Sequence, residues 1–323
     1  MQRLAGVAAV VVLAATIASA QGATPFPTKP VRIVVPFGPG GTSDVVTRIV
    51  SPTLTELWGQ QLVVDNRPGA GGNIGSELVA RAPADGYTLV MATVATHGIG
   101  PSLYTKLPFH PIKDFAPISL LASTPSVVIV NPAVPVSAVK ELIALARAKP
   151  GQLLFGSAGN GGSLHLSGEL LNSMTGVKLV HVPYKGAAAA LIDLMSGQIQ
   201  IMFDTLPSAI PHIKSRKVKA LAVTSASRIQ ALPDLPTVSE SGVPGYEVTS
   251  WYGPLAPAAT ARSIVQKLQA DFVRTANLAE VQQRLTAAGA EPIGSTAERF
   301  AAFIDTELKK WAKVVRESGA RID

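Results

Sequence analysis

Val34-Val35-Pro36-Phe37-Gly38-Pro39-Gly40-Gly41-Thr42-Ser43-Asp44 carries a β-branched strand into a Gly-Pro loop and on into a helix start. The strand begins near Val31, and Val45, Val46, Ile49, Val50, Leu54 and Leu57 recur at helical spacing behind the loop. Thr42 or Ser43 reads as the N-cap, with Asp44 in the first turn. The glycines admit left-handed backbone and let a ligand approach the main chain. Unpaired N–H groups and the positive end of the helix dipole favour an anion there.

The same grammar returns in Leu154-Phe155-Gly156-Ser157-Ala158-Gly159-Asn160-Gly161-Gly162-Ser163-Leu164-His165, with a serine N-cap and Leu164, Leu170, Leu171 and Met174 at helical spacing. One such turn is common in α/β chains. Two of them, in different parts of the chain, can face each other and clamp one small anion between two helix N-termini. A third loop, Arg67-Pro68-Gly69-Ala70-Gly71-Gly72-Asn73-Ile74-Gly75, precedes a helix over Ile74–Arg81. It reads either as a tight turn or as a loop that brings Asn73 to the ligand.

Further strand signals lie at Gln61–Asp65, Thr88–Thr93, Gln152–Gly156, Lys178–Pro183, Ile199–Asp204 and Lys219–Thr224. Helical periods alternate with them, as in Val139, Leu142, Ile143 and Ala146. This alternation predicts mostly parallel α/β sheets covered on both faces. Two halves are visible, Thr24–Leu121 and Ala122–Ser250. Ile118–Val130 is too long for an ordinary strand, and Pro125 disfavours a central strand there. It reads as a crossover, with Tyr246–Ala256 as the return. Beyond it no strand signal appears, and helices are expected near Ala261–Thr275, Leu278–Ala288 and Ala297–Ser318, packed back on the first half. Domain I is then 24–121 plus 251–323, and domain II is 122–250. Two chain crossings make a hinge, and a hinge makes a cleft. Asp204, at a strand's C-terminal end, could meet a ligand there or start the next helix. Trp251-Tyr252 either line the cleft or pack the hinge.

Of 323 residues, 47% are apolar and 15% charged, which excludes global disorder. The 28 Lys+Arg against 21 Asp+Glu give a net charge of +7, which suits anionic small molecules. The basic residues are scattered, with Lys214–Lys219 the one block, so no nucleic-acid partner is expected. Cysteine is absent, which excludes disulfides, thiolate zinc sites and a Cys nucleophile. His97, His110, His165, His181 and His212 show no HxxxH or HExxH spacing, so no metal is expected. At the start, Arg3, the apolar run Leu4–Ile17 and the small residues Ala18-Ser19-Ala20 form a secretory signal cleaved near Ala20. The mature protein is expected to be exported and soluble.

Other chemistries fit less well. No loop matches GxxxxGK[ST], and Ser43 stands where a dinucleotide fingerprint wants its third glycine. GxSxG does not occur, and Ser163 and His165 at i, i+2 point in different directions on a helix. Ser137–Lys140 matches SxxK without its companion motifs. No catalytic group and no cofactor are expected. The alternatives carried forward are a secreted serine-type hydrolase using Ser163 or His165, and a ligand sensor for a signalling partner.

The mature chain resembles the extracytoplasmic solute receptors of the tripartite tricarboxylate transporter family, the Bug proteins. The resemblance rests on Pro27–Val35, Pro36–Asp44, Val64–Gly75, Ala82–Leu89, Phe155–His165, Val182–Gly186, Phe203–Ser208, Lys219–Thr224 and Leu232–Glu240, in family order and spacing. It implies a type II periplasmic binding fold, a two-domain Venus flytrap with a central cleft and two hinge crossovers. It implies a small carboxylate as ligand and transient delivery to a two-subunit membrane permease from the periplasm; a monomer is the default expectation. The family places the carboxylate between the loops matched by Phe37–Ser43 and Ser157–Ser163, held largely by backbone N–H groups. The expected ligand-binding residues are Phe37, Pro39, Gly40, Gly41, Thr42, Ser43, Asn73, Ser157, Ala158, Gly159, Gly162, Ser163 and Asp204. Asp204 falls where family members place a residue that helps choose the ligand. Gly38 stands where many carry something larger or more polar.

Overall fold

The computed structural model describes residues 26–184, 187–229 and 231–320. The signal segment and its cleavage point lie outside the described residues. The first half contains β1 (Val31–Val35), α1 (Thr42–Trp58), β2 (Leu62–Asn66), α2 (Asn73–Ala80), β3 (Thr88–Thr93), α3 (Gly100–Leu103) and β4 (Phe115–Pro117). Then follow β5 (Ala122–Val130), α4 (Val139–Ala148), β6 (Leu154–Ser157), α5 (Ser163–Thr175), β7 (Val180–Pro183), α6 (Ala187–Ser196), β8 (Ile201–Thr205), α7 (Leu206–Lys214) and β9 (Lys219–Val223). The chain returns through β10 (Thr249–Pro257) to α8 (Arg262–Ala276), α9 (Ala279–Ala287), β11 (Glu291–Pro292) and α10 (Ala297–Ser318).

The strands run in the order β2-β1-β3-β10-β5-β8-β6-β7. Within each half the expected parallel pairing holds: β1 with β2 and β3, and β6 with β7 and β8. The two crossover strands are antiparallel to each other and to β3 and β8, so the sheet is mixed rather than mostly parallel. Contrary to the sequence expectation, Pro125 lies inside one continuous central strand. β5 pairs with β10 through Pro125 and with β8 from Ser126 onward. The missing proline N–H falls where the strand changes partners, which is why the ring is tolerated. The short strand β11, paired with Ser123 and Ala122, also corrects the strand-free reading of the last segment.

Alternation along β1 divides the first core. Val31, Ile33 and Val35 pack with the cluster of α1, α8 and α9, while Val34 faces the cluster holding Trp251, Phe300 and Trp311. Burying each such side chain is worth about 1.5–3 kcal/mol, which pins the register. α8 and α9 pack on the first half, as expected. α10 does more, because it also lies along α5 of the second half, where Ser173 hydrogen-bonds Glu317. It is tied to the return crossover through Glu307, whose Oε2 accepts both indole N–H groups, from Trp251 at 3.0 Å and Trp311 at 2.9 Å. Among the described residues no helix is long and apolar enough to cross a membrane.

Candidate anion-binding site

Two helix N-termini are left open by their own caps. α1 is capped by Gly41 in extended conformation (φ −72°, ψ 162°) and α5 by Gly162 (φ −77°, ψ 167°), neither with a side-chain cap. Thr42 and Ser163 are therefore the first helical residues, not the caps expected from sequence. The shift matters, because a capping hydroxyl would turn its own oxygen onto the N2 or N3 amide. Glycine leaves those amides free. The first helical bonds are Val45 N–H to Gly41 O at 2.9 Å and Leu166 N–H to Gly162 O at 3.0 Å. The N–H groups of Thr42, Ser43 and Asp44, and of Ser163, Leu164 and His165, thus have no acceptor in their own helices.

Space lies in front of both loops. A Cβ added to Gly38, Gly40 or Gly162 would meet nothing within 4 Å, and one on Gly41 would meet only the Gly38 carbonyl at 3.6 Å. Pro39, Gly40, Gly41 and Ala158 are exposed, while Phe37, Gly159 and Ser163 are half-buried.

The crossover strands join the two helix starts. Ser163 Oγ lies 3.1 Å from Ser250 Oγ on β10. Two residues on, and so on the same face, the buried Tyr252 hydroxyl stands beside Thr42, Thr124 and Ser250. Burial pushes that hydroxyl above its usual range, against the lowering pull of these neighbours. The first residues of α1 and α5 therefore sit over one floor of hydroxyl groups. Trp251 points the other way and packs the hinge.

Each loop is also braced from behind. In the first, Asp44 Oδ2 accepts from Gly40 N–H and Arg48 Nε, both at 2.9 Å, and Asp44 Oδ1 accepts from Asn66 Nδ2 at 3.0 Å. Asn66 Nδ2 also donates to Phe37 O at 3.0 Å. Burial alone would raise the Asp44 carboxyl, but the hydrogen bonds from Arg48, Gly40 and Asn66 outweigh it and hold it low. Gly40 thus shapes the loop with its positive φ, while its N–H is committed internally. In the second loop Ser157 Oγ donates to Gly159 O at 2.9 Å and lies 2.7 Å from His181 Nε2. Ser157 is fully buried, so its hydroxyl supports the loop.

The third loop behaves as a packed turn. A Cβ on Gly72 would sit 2.5 Å from Thr96 Cγ2 and 3.2 Å from Phe37 Cζ, so its glycines let it press against the first loop. Asn73 is buried at the start of α2, and its Oδ1 has no partner among the described residues. Asp204 is fully buried at the end of β8, where Oδ1 accepts from Thr205 N–H at 2.8 Å and Oδ2 has no partner among the described residues. Burial pushes its carboxyl up to about 6, against the lowering pull of the nearby Ser208 hydroxyl and the Thr205 N–H. Thr205 is the N-cap of α7, so Asp204 stands one residue ahead of it.

Sequence reasoning missed the two histidines behind the second loop, although a signal was present. Gly40-Gly41-Thr42-Ser43-Asp44 and Gly161-Gly162-Ser163-Leu164-His165 share Gly-Gly-hydroxyl followed by a polar acceptor at the fifth position. Ser163 and His165 do not meet, since His165 Nδ1 accepts from Gly161 N–H at 3.0 Å while Ser163 turns to Ser250. Among the described residues no three of His, Asp and Glu are grouped as metal ligands.

The chain matches the family model described as the tripartite tricarboxylate transporter family receptor over residues 46–320. It is 35% identical over 323 residues to Protein BugT of Bordetella pertussis (strain Tohama I), covering 100% of this chain and 99% of BugT. Among solved structures it is similar to R. palustris Rpa4515 with adipate, at 38% identity and a TM-score of 0.80, covering 92% of this chain and 100% of that one. It is also similar to MatC (Rpa3494) from Rhodopseudomonas palustris with bound malate, at 34% identity and a TM-score of 0.76, covering 90% and 100%. With the two-half α/β fold and both glycine loops in place, the chain belongs to the tripartite tricarboxylate transporter receptor family, alongside the Bug proteins.

Proposed function

We propose that this protein is a periplasmic receptor that captures a small carboxylate between its two glycine loops and hands it to a two-subunit membrane permease. Receptors of its family bind solutes and work with a transporter. The observation that carries the reading is the pair of uncapped helix starts, at Thr42 and Ser163, held over the same hydroxyl floor. In this reading one carboxylate takes the N–H groups of Gly41, Thr42 and Ser43 on one side and of Gly162 and Ser163 on the other. Phe37, Pro39, Ala158 and Gly159 then border the solute. Adipate in Rpa4515 and malate in MatC support a dicarboxylate as the class.

Domain I is 24–121 with 251–323 and domain II is 122–250, turning about β5 and β10. The solute stabilises the closed form by its higher affinity for it. Closure excludes water and strengthens charge-assisted hydrogen bonds. The permease reads the closed shape, and the solute leaves chemically unchanged.

A thermal-shift screen of the mature, refolded protein against small carboxylates tests this. A solute at 100 times its Kd adds about 2.7 kcal/mol, a shift of several degrees. Refolding first removes any solute carried from the host. Silence across mono-, di- and tricarboxylates after refolding would sink the proposal.

A further inference from the structure

Both loops are locked by the same internal hydrogen bond. In each, the residue before the N-cap is a left-handed glycine, Gly40 at φ 81° and Gly161 at φ 74°. In each, its N–H is accepted by the side chain four residues on, Asp44 Oδ2 at 2.9 Å and His165 Nδ1 at 3.0 Å. The locks differ in chemistry. A carboxylate held low accepts at any ordinary pH. An imidazole nitrogen accepts only while it carries no proton.

The surroundings of His165 fix its tautomer. Gly161 N–H is a donor, so Nδ1 holds the lone pair and Nε2 carries the hydrogen, which faces Glu169 Oε1 at 3.6 Å. The His181 ring from β7 stacks on His165, with centroids 3.7 Å apart and planes 14° apart. Phe155 of β6 stacks on His165 at 6.3 Å, and Ser157 of β6 meets His181. Phe203 of β8 backs Phe155, and the Tyr246 hydroxyl donates to Ser167 O two residues along. α10 meets α5 farther on, where Glu317 takes the Ser173 hydroxyl. Among the described residues Glu169 and His181 are thus the titratable groups that face the ring. Burial, with the charge of His165 added to it, presses His181 down to about 4, so that ring stays neutral through the mildly acid range.

We propose that His165 is the positioning residue of the second loop and makes solute retention pH-dependent: its neutral ring holds Gly161, and a proton on Nδ1 turns the acceptor into a donor and releases the loop. The first loop, locked by Asp44, keeps its shape. The solute would then loosen on its second-half side first. This rests on the reading above, that a carboxylate lies between the two helix starts.

Two measurements on the mature protein test it. The first needs no solute: amide exchange protection of Gly161 and Gly40 is followed by NMR from pH 8 downward until the ring nitrogen shifts of His165 report its protonation. Gly161 should lose protection as the ring takes its proton while Gly40 keeps its own. Unchanged Gly161 protection across that protonation overturns the proposal. The second measures adipate and malate affinity by calorimetry at two pH values, above and below the protonation those ring shifts locate. With the ring protonated, the wild type should weaken relative to His165→Asn, which supplies a neutral acceptor of the reach Asp44 already uses, by about the tenfold that one lost hydrogen bond is worth. The ratio to that variant removes the titration of the solute itself. His165→Leu should bind weakly at both pH values with its melting temperature recorded alongside. Wild-type affinity that tracks His165→Asn at both pH values, or tightens in acid, overturns the proposal. If neither dicarboxylate binds, the solute-class reading fails, and the Gly161 exchange data still decide this one.

Discussion

Ser163 Oγ and Ser250 Oγ lie 3.1 Å apart, tying the first residue of α5 to the return crossover β10. The same strand presents Tyr252 to Thr42 at the start of α1. The hinge and the site are therefore not separate regions. The strand about which closure is proposed also carries the groups that register one helix start against the other.

A double-mutant cycle checks this bridge. Ser163→Ala and Ser250→Ala should each destabilise the fold by about 1 kcal/mol, and the pair should couple by about 0.5 kcal/mol or more in urea unfolding. Additive losses would mean that the hydroxyls do not meet in solution.

Glycine at the caps should be needed for binding and not for folding. Gly162 and Gly41 both have negative φ and no close neighbour, so Gly162→Ala and Gly41→Val should melt within a degree or two of wild type. Each places a methyl or larger group where the carboxylate would lie, and solute affinity should fall at least about tenfold. Normal affinity in Gly41→Val would remove the clamp from consideration.

His97 should give the fold an acid limb. It is fully buried against Phe109 and Phe115, and burial lowers its pKa from 6.5 to about 3. Between those values the unfolded chain binds a proton that the fold refuses. Stability from this site is thus present above pH 6.5 and lost as pH falls toward 3, with a slope approaching about 1.4 kcal/mol per pH unit. His97→Phe, measured by urea unfolding between pH 4 and 7, should flatten that slope.

Asp204 should act with the opposite sign. Its pKa rises from 3.8 to about 6, so the fold keeps a proton that the unfolded chain has released. That contribution is full below 3.8 and lost as pH rises through about 6. Asp204→Asn should therefore stabilise the protein at pH 8 by about 1–3 kcal/mol and leave it unchanged near pH 3. A variant no more stable at pH 8 would show that Oδ2 has a partner in solution.

Much of this was legible because glycine, β-branched runs and helical periods are local signals. The strand–loop–helix pattern at Val34–Asp44 and the span of α10 follow from them directly. The one-residue shift of each cap was not legible, because glycine and serine both cap well and stand side by side at 162 and 163. The course of β5 through Pro125 depends on which strand is its neighbour at that residue, a tertiary fact. The hydroxyl floor joins residues 87 apart in sequence, at Ser163 and Ser250. The histidine stack joins a helix to a strand. Neither leaves a mark in any short window.

Glu307 gives the protein its own optical reporter. Of three tryptophans, Trp58 donates to Asp271 in the first half, far in sequence from the crossover. Trp251 and Trp311 share one carboxylate oxygen, the former on the return crossover and the latter on the helix that touches both halves. Indole emission follows the field around the ring. On the proposed reading, rotation about β10 would move one donor against the other, so that opening and closing would register in solution without a label.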